Sequence, residues 1–372
     1  MIKLNKIFVC EFITGGGLCA EALPAALAHE GALMRDALLR DLSALPYQVY
    51  TTVDARLTMP AQCFCVKVHP NDDIWQIWQT QMSEADAVFL IAPETDGLLH
   101  YLTQLATLQP QGLSAQQCPD GASYSRPKGP LVLGCGLESI LTTSDKMATY
   151  VALKLANIAT INTFTADYWI EHEAHKEPMT WLTKPNDGAG CEATMCFSDA
   201  ENLIDWLTEY KKQNMHIVQP FLTGTIASIS CVMHQGRAQL LSCNKQLIEV
   251  KNHTVSFKGV LVNGMSEHWQ AFEQIANQIA KTFPSLAGYV GIDVIVQQNE
   301  MNLSQKLTSQ KLTNQKLTNP IVVVEINPRL STSYAGLHES IGVNPAELII
   351  NTLTQANYQW PTLQQNQVVI RV

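Results

Sequence analysis

The sequence lacks the long apolar segments of secreted and membrane-spanning chains. No stretch approaches the roughly 18 uninterrupted apolar residues of a membrane span. The first apolar run, residues 7–10, is broken by Glu11, far short of the apolar region of a signal peptide. We therefore expect a cytoplasmic protein without a membrane partner, whose ten cysteines stay as thiols.

Charged residues are scarce, and basic ones are scarcer than acidic ones. They make up 15% of the 372 residues, and 24 Lys and Arg against 33 Asp and Glu leave a net charge of −9. A nucleic-acid partner held on a basic face is therefore not expected. At about 150 residues per domain the length indicates two or three domains, and an apolar content of 46% is typical of a globular chain.

Common metal and nucleotide motifs are missing too. The sequence has no C-x-x-C pair, and only Cys63-x-Cys65 and His172-x-x-His175 have metal-like spacing. Because a zinc site needs further ligands, we interpret the cysteines as buried small side chains and the histidines as part of a surface helix. There is no G-x-x-x-x-G-K-[ST] sequence, and Gly134-x-Gly136 lacks the third glycine of a dinucleotide fingerprint.

Strands and helices alternate in the first part of the chain. Apolar runs predict strands at 4–10, 47–53, 85–92 and 130–134, and helices are predicted at 29–43 and 97–108. This order is typical of an α/β fold, with a parallel sheet wrapped by helices. Ligands of such sheets lie beyond the carboxyl ends of the strands, so we expect the glycine-rich loop at 14–24 to contact substrate.

The rest of the chain predicts α+β units. A helix is expected at 145–156, strands at 181–185 and 193–197 around a glycine loop, and a helix at 198–212. Further strands are expected at 216–221, 226–233, 238–243, 288–296 and 321–327, with a helix at 269–283.

Three oxygen-bearing side chains stand out on the last two of these strands. Asp293 projects from the face opposite its apolar neighbours. On the final strand Glu325 and Asn327 share one face, about 7 Å apart. Such hard oxygen ligands suit Mg²⁺, although solvated acids at strand ends are the alternative.

Two lysines could neutralise a phosphate beside these ligands. Lys184 ends a strand just before a glycine loop whose backbone N–H groups could cover phosphates. Lys146 lies in the first turn of a helix, where the dipole disfavours a cation unless an anion is near. A surface lysine is the alternative for each residue taken alone.

The order of these features resembles the ATP-grasp superfamily over nearly the whole chain. The motifs are Asp145-Lys146, Lys184-Pro-Asn-Asp-Gly-Ala-Gly190, Val218-Gln-Pro-Phe-Leu-Thr-Gly224, Gly291-Ile-Asp293 and Glu325-Ile-Asn-Pro-Arg329. Residues 11–17 and 327–334 look most like the tyramine-glutamate ligase group of methanofuran biosynthesis. The resemblance implies a Rossmann-like domain at 1–140, a small subdomain at 141–220 and a C-terminal subdomain at 221–372, the two subdomains holding ATP between them.

The resemblance also implies roles for individual residues. The ATP phosphates would be bound by Lys146, Lys184 and the closing loop of Gly188, Ala189 and Gly190. Adenine would be bound by Gln219 and Leu222. Two Mg²⁺ ions, or Mn²⁺, would be held by Asp293, Glu325 and Asn327, and the catalytic groups would be Arg329 and Lys184. The ribose-binding Glu of the family is Ile226 here, so the ribose must be held in another way.

The function implied is that of a ligase that forms an amide through an acyl phosphate. It would join glutamate to an amine such as tyramine, with small-molecule partners only and a homodimer left open. Expected substrate contacts are Lys245 or Lys258, residues 331–334, and Arg329 with Lys245 as a clamp for glutamate. The alternatives are a different ATP-grasp amino-acid or dipeptide ligase, and an ATP-binding protein without turnover.

One stretch has a period of its own. Gln-Lys-Leu-Thr recurs at residues 305, 310 and 315, a spacing of five that fits neither helix nor strand. Because it lies between the strands of Asp293 and Glu325, it is predicted to be a loop insertion at 297–320. We expect this loop to be an irregular surface excursion that ligase activity does not need.

Overall fold

The computed structural model describes residues 4–61, 63–107, 129–174, 176, 178–188, 190–191, 193–213, 215–297 and 321–372. The predicted insertion at 297–320 therefore lies, apart from Gln297, outside the described residues. Ala189 and His175 also lie outside them.

The first part of the chain forms a five-stranded parallel sheet. Its strands are β1 (Lys6–Glu11), β2 (Gln48–Asp54), β3 (Phe64–Val68), β4 (Ala87–Ile91) and β5 (Leu131–Val132), in the spatial order β3-β2-β1-β4-β5. Every pairing between neighbours is parallel. Residues 7–10 of β1 are fully buried, as expected for a strand covered on both faces. The predicted α/β class with a parallel N-terminal sheet is confirmed.

Five helices accompany this sheet and lead away from it. They are α1 (Ala25–Ser43), α2 (Ile74–Glu84), α3 (Leu98–Thr107), α4 (Leu137–Ser144) and α5 (Lys146–Leu155). Helix α1 begins at Ala25 rather than at the predicted residue 29, because Pro24, with φ −63°, already suits a helix start. Helices α2 and α4 were not predicted.

The second sheet has ten strands and is antiparallel throughout. The strands are β6 (Phe164–Thr165), β7 (Trp181–Pro185), β8 (Met195–Phe197), β9 (His216–Pro220), β10 (Thr225–His234), β11 (Arg237–Lys251), β12 (Thr254–Val262), β13 (Gly288–Val296), β14 (Ile321–Asn327) and β15 (Val368–Arg371). The order is β14-β13-β10-β11-β12-β8-β7-β9-β6, with β15 also paired to β12. Helices α6 (Ala166–His172), α7 (Ala200–Glu209), α8 (Trp269–Thr282), α9 (Tyr334–Ile341) and α10 (Pro345–Thr354) complete the chain.

Among the unpredicted elements are α9, α10 and β15, after the last predicted strand, and the hairpin of β11 and β12. The sequence predicted a strand ending at 243 and none at 254–262, whereas β11 runs to Lys251 and β12 follows at once. The turn between them uses Asn252 at φ 50° and His253 at φ 66°. Because both residues take the left-handed region without a glycine, the usual glycine signal of a hairpin is missing.

Two large core clusters join the sheets into one packed body. One contains Phe8 and Trp78 of the parallel-sheet layer together with Ile229 and Ile292 of the antiparallel sheet. The other contains Leu38 of α1 and Leu337 of α9, among others. Within the described ranges no helix combines the length and apolar character needed to cross a bilayer.

Candidate active site

Two acidic residues face each other on neighbouring strands. The register of β13 and β14 pairs Asp293 with Glu325 and Gly291 with Asn327. Asn327 Nδ2 donates to Asp293 Oδ2 at 3.2 Å, which leaves the amide oxygen of Asn327 available to a ligand. Gln246 of β11 donates from Nε2 to Asp293 Oδ1 at 2.7 Å. The structure thus brings together the three side chains predicted as metal ligands.

The two carboxyl groups differ in protonation because their neighbours differ. Burial and the charge of Glu325 raise the pKa of Asp293. Burial acts on Glu325 in the same direction, but Lys184 and Lys146 outweigh it and lower the pKa of Glu325. A dication would remove the repulsion within such a pair. Among the described residues there is no cluster of three or more His, Cys, Asp or Glu that could hold a metal, so the predicted ligands amount to two acids and an amide.

Both predicted lysines lie beside this pair. Lys184, near the end of β7, donates from Nζ to Glu325 Oε2 at 2.9 Å. Lys146, the first residue of α5, donates from Nζ to the carbonyl oxygens of Asp187 and Gly188 at 2.9 and 3.1 Å. Burial lowers the pKa of Lys146. A cation held at a helix N-terminus and away from water needs an anion, so the site favours a negatively charged ligand.

The glycine loop after β7 is held from two sides. Gly188 and Gly190 have φ values of 91° and 66°, a region that disfavours other residues. Asp187 Oδ2 accepts a 2.9 Å hydrogen bond from the backbone N–H of Asp96, in the segment after β4. Lys146 holds the loop from the other side. The predicted residue Ala189 of this loop is outside the described residues.

An apolar compartment adjoins the charged groups in the same cavity. It is lined by Leu182, Gln219, Leu222, Ile226 and Ile295, among others. Gln219 donates from Nε2 to Thr163 Oγ1 at 2.9 Å, so its side chain is partly committed within the protein. With Ile226 at its wall, this compartment can take a flat apolar ring system next to Lys184.

Arg329 is buried and already has a carboxylate partner. Its Nε and Nη2 donate to Glu94 Oε2 at 3.1 and 2.9 Å, and its Nη1 donates to the carbonyl of Leu330. Glu94 raises the pKa of the Arg329 guanidinium against the effect of burial. Since a guanidinium has five N–H donors, two remain for a ligand. The other Oε atom of Glu94 is buried and has no hydrogen-bond partner in the described residues.

Several expected substrate contacts lie elsewhere. Lys245 is exposed and is not among the residues that line the cavity, so the expected clamp of Arg329 with Lys245 is wrong. Lys258 lies 3.5 Å from Glu249 in a surface ion pair. Tyr334 is fully buried and packs against Tyr289, so it belongs to the core rather than to the substrate.

Three cavity or near-cavity residues were not predicted from the sequence. Gln246 lies on a strand that was predicted to end before it. Glu30 lies on α1, away from the lysine, glycine-loop and acidic-strand motifs. Glu94 follows β4, and its position just after a parallel strand is the one clue that could have identified it.

Comparison with known proteins decides the family. The ATP-grasp domain matches residues 143–333, and the pre ATP-grasp 3 domain matches residues 47–112. The chain belongs to the ATP-grasp family. The predicted superfamily and its fold are therefore confirmed.

Relatives of this ATP-grasp chain include proteins of known activity. A tyramine–L-glutamate ligase of Methanocaldococcus jannaschii is 26% identical over 265 residues, which is 71% of this chain and 62% of that ligase. The chain therefore spans about three-fifths of the length of that relative. An ATP-grasp superfamily protein from Archaeoglobus fulgidus has a TM-score of 0.65 at 18% identity, with 99% of each chain covered. An L-amino acid ligase from Bacillus licheniformis has a TM-score of 0.60 at 12% identity, covering 95% of this chain and 75% of the other.

Proposed function

We propose that the protein is an ATP-dependent carboxylate-amine ligase that makes an amide through an acyl phosphate. The observation that carries the proposal is the grouping of Lys184, Glu325, Asp293 and Arg329 around one cavity that continues into an apolar compartment. Positive charge for phosphates, hard oxygen ligands and a buried arginine are the groups that phosphoryl transfer to a carboxylate requires.

ATP would lie along this cavity. Its adenine would occupy the compartment of Leu182, Gln219 and Leu222, and its phosphates would meet Lys146 and Lys184. Gly188 and Gly190 would cover the phosphates with backbone N–H groups. Lys184 would exchange its contact with Glu325 for one with phosphate. The wall at Ile226 offers no acceptor to the ribose hydroxyls.

The residues around Asp293 fit a magnesium ion. Two carboxylates and an amide oxygen are ligands that Mg²⁺ accepts, with water and phosphate oxygens completing its shell. The raised pKa of Asp293 indicates excess negative charge at this point. When bound, Mg²⁺ would neutralise charge on the phosphate oxygens. Whether two ions bind, and whether Mn²⁺ replaces them, stay predictions.

The chain's own groups would then act in sequence. The substrate carboxylate attacks the γ-phosphorus, a C–O–P link forms and ADP leaves. The neutral amine nitrogen next attacks the carbonyl carbon, a C–N bond forms, phosphate leaves with the electron pair of the C–O bond, and the nitrogen loses a proton to solvent. Arg329, with two free N–H donors, would orient the acyl phosphate, and the closed glycine loop would keep out the water that hydrolyses it.

The proposed substrates are glutamate and an amine such as tyramine, in methanofuran-type cofactor synthesis. The 26% identity to tyramine–L-glutamate ligase supports them, as does the chemistry of the cavity. The subdomain boundaries after residues 140 and 220, the cytoplasmic location and the homodimer stay predictions.

The test is product analysis. Purified protein is incubated with ATP, Mg²⁺, glutamate and a panel of amines that includes tyramine, and ADP and amide masses are measured. We expect an amide that appears with ADP in equal amounts. Glu325→Gln should keep the fold and lower turnover by about 10²- to 10³-fold. Turnover of Glu325→Gln at the wild-type rate would reject the assigned role, and amide from other amino acids only would indicate a different ligase.

A further inference from the structure

The side chain of Glu30, a residue of the parallel-sheet layer, lines one end of the cavity. Glu30 lies in the second turn of α1 and lines the cavity with Arg329, Ser331 and Thr332. It accepts a hydrogen bond at Oε1 from Thr332 Oγ1 at 2.6 Å. This end of the cavity is therefore built by one helix of the first layer and by the segment that follows β14.

Glu30 differs from Glu325 and Glu94, and resembles Asp293, in having no ion-pair partner among the described residues. Glu325 is paired with Lys184 at 2.9 Å, and Glu94 with Arg329 at 2.9 Å. No Lys, Arg or His of the described ranges forms an ion pair with Glu30, and the bond that it makes is to a neutral hydroxyl. A carboxylate has about four acceptor positions. Beyond its bond to Thr332, Glu30 thus keeps acceptor positions open toward the cavity.

We propose that Glu30 and Thr332 form a subsite for a primary ammonium group of the substrates. An ammonium group has three donors and one positive charge, which match a carboxylate that lies near the charge of Arg329 but forms no direct ion pair. Arg329 lines the same cavity and presents two free donors for a substrate oxygen. Neighbouring groups of opposite sign would thus receive a carboxyl or acyl-phosphate oxygen and an ammonium group side by side. The proposal rests on the proposed ligase function.

Two sources could supply the ammonium group. One is the amino acid, whose own ammonium group would be held while its side-chain carboxylate is activated. The other is the amine, which would be held as a cation before it loses a proton to solvent and attacks. Both make the same contact with Glu30, and both predict weak binding of substrates that lack the charge.

The test uses Glu30→Gln, which keeps the shape of the side chain and removes the charge. We expect kcat/KM for the substrate held there to fall roughly 10- to 100-fold, with the KM for ATP unchanged. Glu30→Asp should recover part of the loss. Glu339→Gln, an exposed change on α9, is the matched control and should behave as wild type. Thermal unfolding of each variant checks that the fold is retained.

Hydroxylamine separates the two sources. It is uncharged at neutral pH and traps the acyl phosphate as a hydroxamate: its nitrogen attacks the carbonyl carbon, phosphate leaves and a proton goes to solvent. If Glu30→Gln forms hydroxamate at the wild-type rate but loses amide formation, the subsite holds the amine. If hydroxamate formation falls as well, with a higher KM for glutamate, the subsite holds the amino acid.

A binding measurement separates failure of this proposal from failure of the ligase function. Calorimetry with glutamate and with tyramine, each added to protein with Mg²⁺ and a non-hydrolysable ATP analogue, needs no turnover. Weaker binding of either ligand to Glu30→Gln supports the subsite even if no amide is ever formed. Equal binding and equal kinetics in wild type and Glu30→Gln, or no binding of either ligand to the wild type, overturns it.

Discussion

The charges of neighbouring residues set the protonation state of the ionisable side chains in this site. Lys184 and Lys146 hold Glu325 in its ionised form, whereas Asp293, one strand away, is left with burial and a negative neighbour. Arg329 is balanced by Glu94. The groups nearest the reaction are therefore not exposed charges but buried ones whose state depends on one or two partners.

The raised pKa of Asp293 should be visible as pH-dependent stability of the metal-free protein. The pKa rises from an ordinary 3.8 to about 7 in the folded state. Between these values the folded protein binds more protons than the unfolded chain, so its stability should fall as pH rises. The lowered pKa of Glu325 contributes stability that is lost only as pH falls below its ordinary 4.5. Burial lowers the pKa of His216 from 6.5 to about 4, which raises stability with pH in the same window, so the contribution of Asp293 is the part that Asp293→Asn removes.

The measurement is urea unfolding at pH 5 and pH 7.5 in EDTA for wild type and Asp293→Asn. From pH 5 to pH 7.5, the free energy of unfolding of the wild type should fall by about 2 to 4 kcal/mol more than that of the variant. Asn cannot accept from both Gln246 and Asn327, but that cost is the same at each pH. Parallel pH profiles for the two proteins would show that Asp293 has no raised pKa.

Glu94→Gln tests the buried ion pair. It removes the charge opposite Arg329 and leaves a buried cation without compensation, which typically costs about 3 to 5 kcal/mol. We expect lower stability in urea and slower amide formation at saturating ATP. Glu84→Gln, at the exposed end of α2, is the control. Adding Arg329→Met to Glu94→Gln should restore part of the stability but not the activity, and an unaltered single variant would argue against the pair.

At the scale of elements, the strands of the site were predictable and the hairpin beside them was not. Asp293 and Glu325 interrupt apolar alternation on two strands, so pattern alone placed them on one face. The pairing between those strands needed the antiparallel register, which a single sequence does not contain. The turn at residues 252–253 has no glycine, and apolar residues do not alternate strictly around Gln246, so no continuation of β11 was predicted and Gln246 was missed.

The ends of β13 and β14 permit a sharp test of the insertion. Val296 and Ile321 are direct register partners, so the strands meet where residues 297–320 leave and return. Replacing 297–320 by a two-residue Asn-Gly turn should therefore keep the strand register and the ligase activity. Amide formation and thermal unfolding are measured for both proteins. A folded but inactive deletion variant would show that the insertion contributes to substrate or partner contact.

At the scale of the molecule, the two sheets share cores and polar contacts. Each large core cluster contains residues of both layers. Asp41 of α1 is bound by His338 Nδ1 at 2.7 Å and, through its carbonyl, by Asn344. The sequence predicted the order of domains but not these contacts, because helix α1 gives no sign of which distant segment it packs against.

Shared cores should make unfolding cooperative. We expect one calorimetric transition for the whole chain, which ATP with Mg²⁺ shifts upward as a unit by mass action. Differential scanning calorimetry with and without nucleotide measures this. Two separated transitions, of which only the second responds to nucleotide, would mean that the layers unfold independently.

The position of Glu30 and Glu94 outside residues 143–333 has a practical consequence for protein engineering. A chimera that exchanged only that central region would carry the lysines and the acid pair but would place Arg329 against a foreign counterion and a foreign α1. We expect such a chimera to hydrolyse ATP without forming amide, because it cannot orient the substrate. If the proposed ligase function holds, a change of the amine substrate should therefore begin with the first hundred residues, which carry none of the nucleotide-binding residues named above but supply these two glutamates.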